Sequence, residues 1–437
     1  MPTTNFKNSS GTDIGDTLVE KSYLIDRYPE LADTFKQAGL WAWGRRYVGI
    51  DSGGNDITTG LTSPVQAYGG KNNDWKLISS SSAGYQSHAA VKTDGTLWVW
   101  GNNINSYYYP SYPTGQVDGT ETHKSTPVQM GVANTWKQVA ASKWYWMAIK
   151  TDGSLWGQGD QRWQYYNDPT GCLGTGSNPV ERYSSPVQTI SGGTNWKSVV
   201  VGSGTTMAIK TDGTLWGWGY NQHGPLGDNT ETSKSSPVQT VAGGTSWKQV
   251  TICSSVNCVA AIKTNGTLWT WGNNNYGTLA NGDWGTGSNH TSSPAQVGSA
   301  TTWKQVSAGS IVIGAIKTDG TLWTWGYNGD GALGDGTTNN NTQHGPLKST
   351  PVQTISGGTN WKMVSAGNRH MMAIKTDGTL WSWGMNGEGQ VGDGTKVDKS
   401  SPVQIYNGGT NWKTISSGTG TSLAIRDDSA DIFGNTL

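Results

Sequence analysis

Few side chains in this 437-residue chain belong to types that do chemistry, so their spacing decides what is available. The six histidines, His88, His123, His223, His290, His344 and His370, are scattered, with no two close in sequence. Zinc hydrolysis calls for a local pair such as His-Glu-x-x-His, and acyl transfer for a nucleophile elbow. Neither occurs, nor does a phosphate-cradling glycine loop. Cys172, Cys253 and Cys258 are too few for a disulfide framework. Cys253 and Cys258 lack a nearby His pair. All three therefore read as small buried thiols of a chain maturing in a reducing compartment. Runs such as Asn328-Gly329-Asp330-Gly331 and Gly334-Asp335-Gly336 could offer oxygen to calcium. They lack the spacing of a calcium loop and read as turns. The Asp of a recurring Thr-Asp-Gly reads as a hairpin former, not as a general acid or base. Sites assembled from distant loops leave no local motif, but the expectation is a non-enzyme with no cofactor and no metal.

What could position any site is far louder. Leu-Trp-x-(Trp/Gln)-Gly begins at Leu40, Leu97, Leu155, Leu215, Leu268, Leu322 and Leu380. A (Ser/Thr)-Pro-(Val/Ala)-Gln box follows each, then a Trp-Lys pair, at Trp75, Trp136, Trp196, Trp247, Trp303, Trp361 and Trp412. Self-similarity at roughly 50–60 residues means stacked units that cannot bury a core alone. Within residues 185–219, four alternating runs, 186–190, 196–200, 206–210 and 215–219, are separated by Gly-rich turns. Seven units of four antiparallel strands predict an all-β, seven-bladed propeller. The first unit enters at Leu40 without a preceding Thr-Asp-Gly strand, and the last ends at Ile425 without a following Leu-Trp. One blade is therefore expected to be assembled from both termini, hiding the edge strands.

Twenty of the 24 tryptophans belong to this framework and are expected to form the core of a chain with only three Phe. Trp144, Trp146, Trp163 and Trp284 lie outside it. Thirty acidic residues balance thirty basic ones, so no global charge draws the chain to nucleic acid. No apolar run approaches the ~20 residues of a membrane span, so membrane insertion is not expected. Residues 1–10 are polar and lack the apolar core of a secretory signal. The expected organisation is an arm and short helix at 1–39, a propeller at 40–426 and a tail at 427–437.

Leu-Trp-x-Trp-Gly-x-Asn-x-x-Gly-x-Leu-Gly-Asp-Gly, intact from Leu322 to Gly336, resembles the repeat of the regulator of chromosome condensation family. The resemblance spans approximately residues 40–426 and implies the seven-bladed fold. It implies no one activity, because such propellers serve as exchange factors, chromatin binders, a photoreceptor and parts of ligases. The His that commonly follows the Gly of the family's third strand is matched well only by His370, in Gly367-Asn368-Arg369-His370. The photoreceptor's Gly-Trp-Arg-His-Thr is absent, and no basic tail or strongly charged patch stands out.

The opening segment resembles the leaders of virion proteins from tailed bacteriophages. It is a polar arm anchored by Phe6 and Ile14, then a partly helical stretch with Leu24, Tyr28, Leu31 and Phe35 near one face. Such a leader could dock to a partner subunit or pack across one end of its own propeller. Insertions between the Leu-Trp and Ser-Pro boxes map to one rim or face of the ring. Two consecutive ones are aromatic, with Tyr107, Tyr108, Tyr109 and Tyr112 in one and Trp163, Tyr165 and Tyr166 in the other. These suit a protein interface or stacking against sugars, or simply cover their own blades.

The leading expectation is a non-enzymatic virion component (tail, baseplate or capsid decoration), assembled in the host cytoplasm. Its partners would be other virion subunits or a host-surface glycan or protein. The alternative is a cellular binding module, either a glycan-binding lectin or a regulator of another protein. A weaker one is a polysaccharide depolymerase using carboxylates such as Asp160 and Asp168.

Overall fold

The computed structural model describes residues 38–45, 60–67, 74–82, 87–101, 124–161, 171–176, 182–285, 289–338, 347–406 and 408–427. Within them lie 28 strands in seven four-stranded antiparallel sheets. Each sheet is one blade of a propeller. The physical blade is offset by one strand from the sequence unit: it starts at Trp-Lys and ends at the following Pro-Val-Gln strand. Blade 3, for example, runs Trp196–Val201, Thr205–Lys210, Leu215–Gly219 and Lys234–Gln239, from the axis outward. Proline sits in the outermost strand, an edge where a missing N–H costs no ladder bond.

Blade 7 joins Trp412–Ser417 and Thr421–Asp427 to Ala38–Gly44 and Leu61–Gln66. Ala38 pairs with Asp427 and Leu40 with Ile425, so two strands from each end of the chain close the ring. The innermost strands of successive blades touch all the way round.

The core sits between blades. The innermost Trp and the second Trp of Leu-Trp-x-Trp pack against each other, as Trp196 and Trp218 do with centroids 5.8 Å apart. Blade 2 has Gln158 in place of that second Trp. Its cross-strand neighbour is Trp146, 2% exposed, which packs on Trp136 at 6.0 Å and fills the vacancy. A tryptophan that looked incidental in sequence thus belongs to the framework.

The first Trp of each Leu-Trp departs from expectation: it is only half-buried. Every innermost strand carries a bulge at its Trp-Lys, which turns the Lys outward into solvent. Beside it, a second cation from the Ile-Lys strand lies between two indoles. Lys375 stands 3.9 Å from the ring centre of Trp381 and 4.8 Å from that of Trp361. In blade 7, Arg426 takes this place over Trp41 at 4.2 Å. A hydrogen-bond relay holds the outer indole: Trp216 Nε1 donates to Thr214 Oγ1 at 2.9 Å, which donates to Asp212 Oδ1 at 2.7 Å. Six blades repeat it with Asp or Asn. The turn closes on Gly213, at φ +82°, where a Cβ would lie 2.1 Å from Thr245 O.

Candidate interaction face

Antiparallel hairpins give the ring two unlike ends. One, the turn end, carries the Asp-Gly turns and the short links from each outermost strand to the next innermost strand. The other, the loop end, carries the inner turns near the axis and the variable insertions farther out.

The insertions are anchored by buried asparagines. Asn386, fully buried, donates through Nδ2 to Asp393 Oδ1 at 3.1 Å and to the carbonyls of Thr395 and Val397 at 3.0 and 3.1 Å. Its Oδ1 accepts from Val391 N at 2.9 Å. Asn221, Asn274 and Asn328 do the same in blades 3 to 5. Asp335 Oδ1 accepts from Asn328 Nδ2, Thr337 N and Thr337 Oγ1, the bonds of a turn aspartate. Among the described residues the insertions of blades 2 to 6 are also clasped by an indole of the next blade. Trp383 Nε1 donates to Ala332 O at 2.9 Å, and Trp43 Nε1 to Gln390 O at 2.9 Å. Gly334, at φ +63°, admits that indole, since a Cβ there would sit 2.7 Å from Trp383 Nε1.

Near the axis the innermost strands surround a cavity of about 160 Å³ lined largely by Ser and Thr. At five of the seven blade junctions a hydroxyl accepts the neighbour's backbone N–H, as Ser307 Oγ does from Ala366 N at 3.0 Å. Where Ala140 and Val200 supply no hydroxyl, Ser142 Oγ donates to Gly202 O and Ser203 Oγ to Ser254 O. Ser82 and Ser254 meet across the ring at 2.6 Å, and Ser310 Oγ donates to Ser82 O. These bonds tie the inner turns of blades 1, 4 and 5 to one another near the axis. The signal was present in sequence as a Ser or Thr four residues after most innermost Trp residues.

Three blades bring a polar–aromatic cluster to the surface of this end. Tyr276 and Tyr327 meet edge to face at 6.1 Å. The Arg369 guanidinium lies 5.1 Å from the Tyr327 ring centre and 3.6 Å from Asp330 Oδ2. Burial raises the Asp330 carboxyl, opposed by Arg369, and also raises the Tyr327 phenol. A second pairing sets His223 and His290 5.1 Å apart, with His290 Nε2 2.7 Å from Glu231 Oε1. Burial, then the neighbouring His290, lowers the His223 imidazole. Asp330, His223 and His290 are noted from sequence, but nothing there signals these pairings, because Tyr276, Tyr327 and Arg369 converge from different blades, as do His223 and His290.

The residues singled out from sequence lie elsewhere. Tyr107, Tyr108, Tyr109, Tyr112, Trp163, Tyr165 and Tyr166 fall outside the described residues, as do Phe6, Ile14, Leu24, Tyr28, Leu31 and Phe35. Asp168 does too, and Asp160 faces Arg182 Nε at 3.4 Å. His370, in the motif the family shares, is fully buried with Nε2 3.0 Å from Ser422 Oγ.

The thiol expectation is corrected at two positions. Cys253 and Cys258 form a disulfide across the inner turn of blade 4. Cys253 N donates to Cys258 O at 2.7 Å, and the left-handed Asn257 lets the turn bring the pair together. Cys172 is a buried thiol outside any disulfide, as expected, and its Sγ donates to Asp160 O at 3.6 Å. Among the described residues no group of three His, Cys, Asp or Glu could hold a metal ion.

Two family models, both described as the regulator of chromosome condensation (RCC1) repeat, match this chain. One covers residues 212–262, 265–313, 319–374 and 377–425, the other 196–224 and 362–390, together just over half of it. Ultraviolet-B receptor UVR8 of Arabidopsis thaliana is 28% identical over 273 residues, which are 62% of this chain and 57% of that protein. The mitochondrial RCC1 domain-containing protein RUG3 of the same plant is 28% identical over 290 residues, 64% and 60% respectively. The human E3 ubiquitin-protein ligase HERC2 is 27% identical over 270 residues, 60% of this chain and 5% of the ligase. The chain thus spans under two thirds of each relative. Among solved structures, yeast RCC1 (Prp20) bound to Kap60 superposes with a TM-score of 0.72 at 18% identity, covering 91% of each chain. Human WBSCR16 gives 0.70 at 17% identity, covering 90% of this chain and 99% of that one. At such identities the likeness shows the fold.

Proposed function

Because the chain belongs to the regulator of chromosome condensation repeat family, we propose that it is a non-enzymatic protein-binding module whose partner docks on the loop end. The observation that carries this reading is the Tyr276–Tyr327–Arg369–Asp330 cluster, in which Tyr276 and Asp330 stand on insertions anchored by buried asparagines and Arg369 on an inner turn. Tyr and Arg presented on a preorganised surface are the residue types that dominate binding energy. The relatives point the same way: yeast Prp20p has been described for its binding to Gsp1p and histones. They favour the alternative raised from sequence, a cellular binding module, over a virion component. The virion reading rests on the leader, which lies outside the described residues, and none of the relatives named above supports it.

The test is affinity capture with the full chain and a Tyr327→Ala/Arg369→Ala variant. Loss of about 2 kcal/mol or more per central contact weakens a genuine partner at least tenfold. A partner held equally well by both proteins would place the contact elsewhere.

A further inference from the structure

Acidic and basic residues cancel over the whole chain, but they do not cancel at its two ends. At the turn end every blade presents two cations. One is the bulged lysine after the innermost Trp, from Lys76 in blade 1 to Lys413 in blade 7, exposed in all seven. The other is the cation caged between indoles, from Lys92 to Arg426. Against these fourteen stand seven carboxylates: Asp74, Asp427 and the five Asp of the Asp-Gly turns. The links from outermost to innermost strands add no other charge among the described residues. Among the described residues this end therefore carries a net +7.

A second feature lies at the outer perimeter, where the links start beside their own blades' insertions, Ile190 N donating to Gly174 O at 2.8 Å and Ile355 N to Gly334 O at 2.9 Å. The links that leave the outermost strands expose Val132, Ile190, Val241, Ile355 and Tyr406 by 97%, 60%, 53%, 62% and 56%. These are five of the seven exposed large hydrophobics among the described residues. Between rim and centre stand the half-exposed outer indoles.

Cationic centre and apolar rim reverse the usual layout of a protein–protein interface, in which an apolar core is ringed by polar groups. A closed circle of charge also suits a linear polyanion poorly. A nucleic acid would follow one chord and leave most of the cations unmet. A bilayer with anionic head groups meets the whole circle together. The lysines reach its negative surface, the indoles sit at head-group level, and the rim enters the acyl boundary. No helix among the described residues is long and apolar enough to cross a membrane, and this contact needs none. We infer that the turn end is a peripheral docking face for an anionic lipid membrane. The contact is independent of the protein partner proposed for the loop end.

The experiment is co-sedimentation of the full chain with phosphatidylcholine vesicles, with and without roughly a third phosphatidylserine, at low and high salt. Binding is expected to the anionic vesicles alone and to weaken as salt rises. Lys248→Glu/Lys304→Glu/Lys362→Glu should lower the partition at least about tenfold. Ile190→Ser/Ile355→Ser should lower it by about threefold and remove the salt-resistant part. Unchanged melting curves would show that both variants fold. Tyr327→Ala/Arg369→Ala should bind vesicles like the parent, which separates this claim from the loop-end one. No binding to anionic vesicles, equal binding to neutral ones, or an unaffected lysine variant would overturn it. So would duplex DNA binding more tightly than the vesicles at equal charge, which would assign the face to nucleic acid.

Discussion

The two ends of the ring are made from the same hairpins, yet one repeats and the other varies. At the turn end, Asp, Thr, Trp and Lys recur in nearly every blade, because each blade closes the same short hairpin in the same way. Change there disturbs a device used seven times. At the loop end a single asparagine and the next blade's indole hold the insertions of blades 3 to 6, as Asn386 and Trp43 do in blade 6. Residues beyond those two anchors can differ without cost to the ring. Recognition of a particular partner can therefore diversify at the loop end, while the turn end can offer only a repeated, averaged surface.

Both ends depend on closure, so breaking it should have the largest effect. Deleting residues 412–427 strips Ala38–Gly44 of its partner strand and exposes an edge. Cooperative unfolding and a monomeric elution volume should both be lost. A truncated chain that remained folded and monomeric would refute closure by blade 7. Next comes Trp383→Ala, which empties a fully buried site and frees Ala332 O, at about 3–5 kcal/mol. Trp381→Ala, at the half-exposed outer position, should cost visibly less in the same denaturant titration. Equal losses would mean that the caged indoles are core after all.

Acid should separate the two ends by pH. Burial pushes His370 down to about 4 and His88 to about 3, both near the loop end. An unfolded His takes up its proton near 6.5. A lowered folded value means this stability is complete above 6.5 and drains away as the pH falls toward 4. At 1.36 kcal/mol per unit, His370 alone accounts for roughly 3 kcal/mol. The turn carboxylates Asp212, Asp319 and Asp377 are held below the ordinary 3.8 by their Thr partners. Their contribution is lost only in more acidic solution. Urea midpoints between pH 7 and 4.5 should fall for the parent and fall less steeply for His370→Gln, which keeps His88. A flat parent profile would contradict the buried neutral imidazoles. The smallest effect expected is Asn386→Ala, at about 1–3 kcal/mol for the buried groups left unpaired. It should loosen the blade 6 insertion more than the ring, as local hydrogen exchange would show.

The repeat, the blade count and the closure could all be read from sequence, because periodic apolar positions report directly on stacked sheets. What escaped was whatever depends on how repeats meet. Tyr276, Tyr327 and Arg369 lie far apart in the chain and become neighbours only around the ring. Trp146 and Gln158 exchange roles across two strands, invisible without the register that pairs them. The outer indoles looked like core until the bulge placed a lysine beside them. Charge summed over the whole chain concealed its separation between ends. The aromatic insertions at Tyr107 and Trp163 lie outside the described residues.

The most direct test of the division between ends places a photo-crosslinking residue at Trp284 or Val397 on the loop end, and at Ile190 or Ile355 on the turn end. All four are exposed, at 50%, 64%, 60% and 62%. A protein partner should be trapped from the first two positions and not from the second two. Trapping the same protein from Ile190 and Ile355 alone would contradict the account.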